Sequence, residues 1–327
     1  MHRMNRRQLF AASAATISSP AIAQPAAWPT RGSIRLIAQF PPGGLVDTIS
    51  RLMAPAMSQA LGQTVLVENR AGAGGVIGTD FVAKAPADGY TLLVSHASVH
   101  VFSTATLPSL PFDPIADFTH MGLLVEASNV LLVKADSPYR TLEQYITAAR
   151  SRPVRFGSSG IGSAPHLLGA MLSSEARAPD LDHVPYRGSA PALQDLLAGV
   201  IESFIDPITT NVAMMREGTL RCLGVSTLQR LPAFPNVPTF AEQGFPRLTS
   251  GQWLGLSAPK NLPAPITERL TSLISTILTQ PLLATRLEDL QTLPRNPPPT
   301  GADFVGLIRE QITEWTAVAR QFNISVS

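Results

Sequence analysis

The segment Phe40-Pro41-Pro42-Gly43-Gly44-Leu45-Val46-Asp47 has the residue types and spacing to hold an anion. It lies between an apolar strand-like run, Ile34–Gln39, and a helix-like run that begins near Val46. A Pro-Pro-Gly-Gly turn leaves a backbone poor in side chains at the mouth of a helix. Such a mouth offers unpaired N–H groups and the positive end of the helix dipole. Pro42, Gly43, Gly44 and Leu45 would therefore present backbone donors to a carboxylate with no cationic side chain. The same residues also suit an ordinary strand-to-helix turn. Asp47 falls in the first turn, where an acid either caps backbone donors or meets a polar ligand group. Capping is the preferred reading, because acids favour that position.

Other loops repeat the pattern. Gly72-Ala73-Gly74-Gly75-Val76 follows a second strand, so Gly74, Gly75 and Val76 are candidates. His96 and Ser98 follow a third. Ser158-Ser159-Gly160-Ile161-Gly162-Ser163 precedes a helix starting near Pro165. Small hydroxyls and glycines at a helix start make an anion cradle, here from Ser158, Ser159, Gly160 and Ser163. Asp206 ends the strand Ser203–Asp206; it either caps the next helix or meets a ligand hydroxyl or amino group. Arg187 is the one cation in a plausible loop, and surface charge pairing is its expected role.

Enzyme chemistry finds less support. Gly72-x-Gly74-x3-Gly78 mimics a dinucleotide fingerprint, but the next strand ends at Ser95-His96 without an acid for a ribose. No Gly-x-Ser-x-Gly nucleophile elbow exists. His96 and His100 have i,i+4 spacing but no third metal ligand in view. No cofactor and no metal are expected.

The first 23 residues read as an export leader. Arg3, Arg6 and Arg7 precede an apolar run from Leu9 to Ile17, and Ala21-Ile22-Ala23 forms a small-x-small cleavage site. Arg6-Arg7 with Gln8-Leu9-Phe10 resembles a twin-arginine signal. The destination is then the periplasm. The chain has 25 Lys+Arg and 23 Asp+Glu. Without the three leader arginines, 22 bases face 23 acids, a formal charge of −1. The sequence pI of 8.9 thus largely reflects the leader. A nucleic-acid partner is not supported. Cys222 is the single cysteine, so no intramolecular disulfide holds the fold, and its apolar strand setting reads as a core thiol.

Elements that would position these loops alternate along the chain. Strand-like runs are Ile34–Gln39, Thr64–Glu68, Thr91–Ser95, Val130–Lys134, Val154–Gly157, Ser203–Asp206 and Leu220–Ser226. Helix-like runs fall between them, and the end of the chain turns mostly helical over 264–279, 281–290 and 301–322. Alternation predicts α/β architecture with parallel sheets. About 300 residues exceed what one core usually serves. The expected organisation is a discontinuous first lobe, 28–126 plus 252–327, and an inserted second lobe, 127–251. Two crossings, Met121–Val133 and Leu248–Ala258, would join them. That is the two-lobed venus-flytrap plan of periplasmic binding proteins, with ligand between the lobes.

The ordered set of motifs resembles a known family. Besides Phe40–Asp47, it includes Leu61-Gly62-Gln63, Val67-Glu68-Asn69-Arg70 and Gly72–Gly75. Asp88–Leu93, Phe156–Gly160, Gly162-Ser163, His166-Leu167 and His183–Gly188 follow. Pro191-Ala192-Leu193, Val237-Pro238-Thr239, Ala241-Glu242 and Trp253-Leu254-Gly255 complete it. The chain resembles the extracytoplasmic solute receptors of tripartite tricarboxylate transporters, the Bug family. The resemblance implies a monomeric, non-enzymatic receptor that binds a small organic carboxylate between two lobes, partly through bridging waters. It implies delivery to integral-membrane transporter subunits; feeding a sensor is the alternative. His96–Val101 and Pro207–Thr210 depart from the family pattern, so ligand identity does not carry over.

Overall fold

A computed structural model describes residues 28–249 and 251–321. The expected leader, residues 1–23, lies outside the described residues. The first elements are β1 (Ile34–Ala38), α1 (Leu45–Leu61), β2 (Val65–Asn69), α2 (Val76–Ala83) and β3 (Thr91–His96). A π-helical turn, Ser98–Ser103, runs into the short α3 (Thr104–Thr106). Then come β4 (Phe118–Lys134), α4 (Leu142–Ala149), β5 (Val154–Ser158), α5 (Ala164–Glu175), β6 (Leu181–Pro185) and α6 (Ser189–Ala198). β7 (Ser203–Pro207), α7 (Val212–Arg216) and β8 (Leu220–Val225) follow. The chain closes with β9 (Gly251–Pro259), α8 (Ala264–Leu278), α9 (Pro281–Asp289), β10 (Thr292–Leu293) and α10 (Gly301–Gln321).

The strand order is β2-β1-β3-β9-β4-β7-β5-β6, with β8 and β10 also paired to β4. β1, β2 and β3 are mutually parallel, as are β7, β5 and β6. β4 is antiparallel to its partners and belongs to both halves. Its Phe118–Ser128 stretch pairs with β9, and Asn129–Lys134 pairs with β7 and β8. Register shifts at His120/Gly122, Leu123/Val125 and Leu131/Leu132 interrupt its ladders. Such irregularities increase local twist, which lets one strand serve two sheets.

Three expectations need correction. The strand expected at Val130–Lys134 is the tail of a 17-residue strand, because Ser128 and Asn129 stay paired, to β9 and β7, and the chain does not turn there. The stretch between Ser203–Asp206 and Leu220–Ser226, expected to be one helix, divides into a 3₁₀ turn, Ile208–Thr210, and α7, with Asn211 between them. β6 is absent from the expected strands. It ends in Pro185 and lies at the edge of the sheet, where proline is readily tolerated.

Packing follows from spacing. In α1, Leu45, Ile49, Met53, Met57 and Leu61 form a buried stripe at four-residue intervals, and Gly62 closes the helix at φ 68°. α8 adds Leu270, Ile274 and Ile277 to the same core. α10 buries Phe304, Ile308, Trp315 and Ala319. Trp315 meets Phe102 edge-to-face at 4.7 Å, so the helix braces the π-helical turn after β3. Phe304 needs Gly255: a Cβ there would fall 2.3 Å from its Cζ. Gly255→Ala is expected to cost about 1–3 kcal/mol by overpacking, read as a lowered urea midpoint with an unchanged slope. An unchanged midpoint would mean that α10 shifts freely.

Candidate functional site

The loop after β1 is built by its own side chains. Gly43 takes φ 85°, and Gly44 is the extended N-cap of α1 at φ −86°, ψ 176°. Asp47 Oδ2 accepts the Gly43 N–H at 3.0 Å. Its Oδ1 accepts from Arg51 Nε and from Asn69 Nδ2, each at 2.9 Å. Asn69 also donates to Phe40 O at 3.0 Å. Burial alone would raise the Asp47 pKa; the bonds from Gly43, Arg51 and Asn69 outweigh it, and the net shift is downward. Asp47 is therefore an ionised brace that fixes the mouth of α1.

Across from it, the loop after β6 leads into α6. Gly188, at φ 114°, is the N-cap and Ser189 the first helical residue. A Cβ on Gly188 would lie 3.2 Å from Pro41 Cγ, so the two loops touch. Between them lies a narrow cleft of about 30 Å³. Phe40, Pro41, Gly44, Leu45 and Val46 line one side; Ser159, Gly188, Ser189 and Pro207 line the other; His96 and Gln252 complete it. The N-termini of α1 and α6 thus open on one space whose lining holds no Lys or Arg. Each contributes free backbone donors and a positive dipole end, so the space suits an anion.

His96 closes this space as a neutral group. It is buried, sits edge-to-face on Phe40 at 5.4 Å, and burial lowers its pKa to about 3. Ser98 Oγ lies 3.5 Å from Gln252 Oε1, and Gln252 Nε2 donates to Asn129 Oδ1. Among the described residues His96 Nε2 and both polar side-chain atoms of Gln39 have no hydrogen-bond partner.

A larger hollow of about 720 Å³, open to solvent, adjoins the cleft and shares Phe40, Pro41, Ser159 and Gly188 with it. Its walls include Gly72–Val76, Gly160, Ile161, Tyr186 and Arg187. Gly72, Gly74 and Gly75 all have positive φ, which explains the glycine run. A Cβ on Gly75 would also fall 2.7 Å from Val99 Cγ2.

The residues singled out from sequence therefore separate into groups. Gly44, Leu45, His96 and Ser159 come together around the cleft. Gly74, Gly75, Val76 and Gly160 line the adjoining hollow. Pro42 and Gly43 are exposed and line neither. Ser98 is buried behind the wall with Gln252. Ser158 bonds His183 Nε2 at 2.7 Å and accepts from Gly160 N. Ser163 is the N-cap of α5, accepting from His166 N while its hydroxyl donates to Gly160 O. Those two serines brace their loop. Asp206 is wholly buried, so a direct ligand contact does not fit its position. Nor does it cap the following amides. Its Oδ1 is 2.6 Å from Ser189 Oγ, and its Oδ2 accepts from Thr210 Oγ1 at 2.6 Å and Asn211 Nδ2 at 3.0 Å. Arg187 makes no ion pair among the described residues and lines the hollow, so the expected surface pairing is corrected.

Sequence reasoning missed Phe40, Pro41, Val46 and Gly188 as lining residues, and Ser189 and Gln252 altogether; Pro207 it placed only within a segment where pocket side chains are expected. Recognising Leu181–Pro185 as a strand would have marked Gly188-Ser189 as a strand-to-helix turn like the others. Gln252 carried no signal in its own neighbourhood. Elsewhere, burial pushes the Cys222 thiol up to about 12, which removes it as a nucleophile. Among the described residues no three of His, Cys, Asp or Glu group as a metal site, and no helix is long and apolar enough to cross a membrane.

Residues 49–324 match the model of the tripartite tricarboxylate transporter family receptor, TctC. Protein BugT of Bordetella pertussis is 34% identical over 324 residues, covering 97% of this chain and 98% of BugT. Among solved structures, MatC from Rhodopseudomonas palustris with bound malate superposes at TM-score 0.83. It is 33% identical and covers 88% of this chain and 99% of MatC. Rpa4515 of R. palustris with adipate superposes at 0.85, with 30% identity, 91% of this chain and 99% of that one.

Proposed function

The chain belongs to the tripartite tricarboxylate transporter receptor family, a family of solute-binding receptors and not of enzymes, and from that premise we propose that it captures a small organic carboxylate and passes it to integral-membrane transporter subunits. The observation that carries this reading is the pair of helix N-termini, at Gly44–Val46 and Gly188–Ser189, opening on one cleft without a cationic side chain. One carboxylate between them would take backbone donors from both sides. MatC and Rpa4515, with malate and adipate bound, support a dicarboxylate.

Over the described residues the two lobes are 28–126 with 252–321, and 127–251, joined through β4 and the approach to β9. Ligand bound by both lobes favours their closed arrangement, and its differential affinity sets how far the equilibrium moves. Closure presents one shape to the transporter and hides the carboxylate from water. The receptor works in the periplasm as a monomer after loss of residues 1–23.

A thermal-shift screen of residues 24–327 tests the reading. The panel is malate, adipate, citrate, benzoate and nicotinate, with NAD as control. An acid at ~100 times its Kd adds about 2.7 kcal/mol, a rise of several degrees for a chain of this size. A rise with one class of acid is the expected result. A rise with NAD alone would overturn the receptor reading.

A further inference from the structure

Asp206 is 0% exposed and forms no ion pair among the described residues. Buried carboxylates are normally paired with a positive charge. Its two oxygens are unequal. Oδ2 accepts from Thr210 and Asn211, whereas Oδ1 has Ser189 Oγ as its single partner, 2.6 Å away. Oδ1 is therefore the oxygen with room for a proton. Ser189 in turn lines the cleft at the mouth of α6.

A serine hydroxyl carries one hydrogen. When Asp206 is ionised, that hydrogen is spent on Oδ1, and Ser189 turns its lone pairs to the cleft. When Oδ1 is protonated it donates to Ser189 Oγ, and the serine hydrogen is free to point into the cleft. We propose that Asp206 is a proton-linked switch on Ser189, so that capture of an anion in the cleft takes up one proton from solvent. The proposal rests on the carboxylate-receptor reading of the same cleft.

The surroundings leave the switch to Asp206 itself. β7 packs against β4, β5, α5 and α6. The titratable groups on those elements are engaged elsewhere: Arg155 with Glu202, Asp195 with Tyr186, and Glu175 with Arg247. Glu126 pairs with Arg295, Lys134 with Asp136, and His120 with Ser257 and Pro114. His166 Nδ1 accepts from Gly162 N. Across the cleft His96 is neutral, and Arg187 lines the adjoining hollow. Burial, with no charge to offset it, pushes the Asp206 carboxyl up to about 7 despite its three donors.

Calorimetry with malate, adipate, citrate and benzoate, from pH 6.5 to 9 in two buffers of different protonation enthalpy, tests the switch. In the wild type, Kd for a bound acid is expected to rise by up to about tenfold per pH unit above neutrality, with up to one proton taken up. Asp206→Asn places an amide donor permanently on Ser189 and should bind with a flat pH profile. Ser189→Ala should bind more weakly, also flat, and it serves if Asp206→Asn fails to fold. Wild-type binding that is independent of pH and buffer would overturn the switch alone. A pH dependence that survives Ser189→Ala would overturn the serine's part in it. Failure of every acid to bind at any pH would overturn the carboxylate reading and the switch together.

Discussion

Replacing Gly44 with valine is expected to abolish carboxylate binding and leave the fold intact. The backbone at Gly44 is extended, φ −86° and ψ 176°, a conformation open to any residue. The nearest heavy atom to an added Cβ is Pro41 O at 3.8 Å, an ordinary contact. Yet Gly44 lines the cleft at the mouth of α1, so a branched side chain would occupy the space before the Leu45 and Val46 amides. Losing two hydrogen bonds to a charged group costs about 3–6 kcal/mol, or on the order of 10²–10⁴ in Kd. Gly43 is the poorer choice, because its φ of 85° would confuse strain with blocking. Calorimetry beside a melting curve decides. Unchanged affinity removes this loop from the site, and a large fall in Tm means that the backbone was disturbed after all.

Acidification should unfold the protein cooperatively near pH 5. The five described histidines are held neutral mainly by burial: His96 and His183 near 3, His120 and His166 near 4, and His100 well below its ordinary value. His166 and His183 stack at 4.1 Å, and His100 packs against His120 and Trp253. In the unfolded chain these imidazoles protonate near pH 6.5. Folded, they do not until far lower. Their contribution is fully retained above pH 6.5 and is lost as pH falls, at about 1.4 kcal/mol per unit for each. At pH 5.5 five such groups remove about 7 kcal/mol, comparable with the whole stability of a typical domain.

Asp206 acts with the opposite sign. Its raised carboxyl costs stability above pH 7 and regains it as pH falls toward 3.8, but it is one group against five. Near-UV circular dichroism from pH 7 to 4 follows the transition. His100→Phe should move the midpoint to lower pH, since neither ring nitrogen of His100 has a partner to lose. Native signal persisting at pH 4 would show that the histidines find solvent without unfolding. The unfolding transition near pH 5 lies below the range, pH 6.5 to 9, in which the Ser189 switch is measured.

Much of this architecture is legible in the residues. The four-residue apolar stripe of α1, the glycine run at Gly72–Gly75 and the Pro-Pro-Gly-Gly turn are local signals. Each reports a local requirement: a face to bury, a left-handed backbone, a break between strand and helix. The ordered motifs likewise point to the receptor family, which the family match bears out.

Sheet order is a different kind of fact. Ser158–Ser163 and Tyr186–Ser189 are both strand-to-helix turns of parallel strands, and nothing in either segment says which brings its helix mouth to the cleft. The order β4-β7-β5-β6 and the packing of Gly188 on Pro41 decide that α6 faces α1, while Ser163 is absorbed in capping α5. The burial of Asp206 behind Ser189 and the approach of Gln252 to Ser98 arise in the same way. Side-chain periodicity specifies which face of an element turns inward. Which distant groups then meet depends on pairings across 17 to 154 positions of chain, where neighbours in sequence exert no constraint.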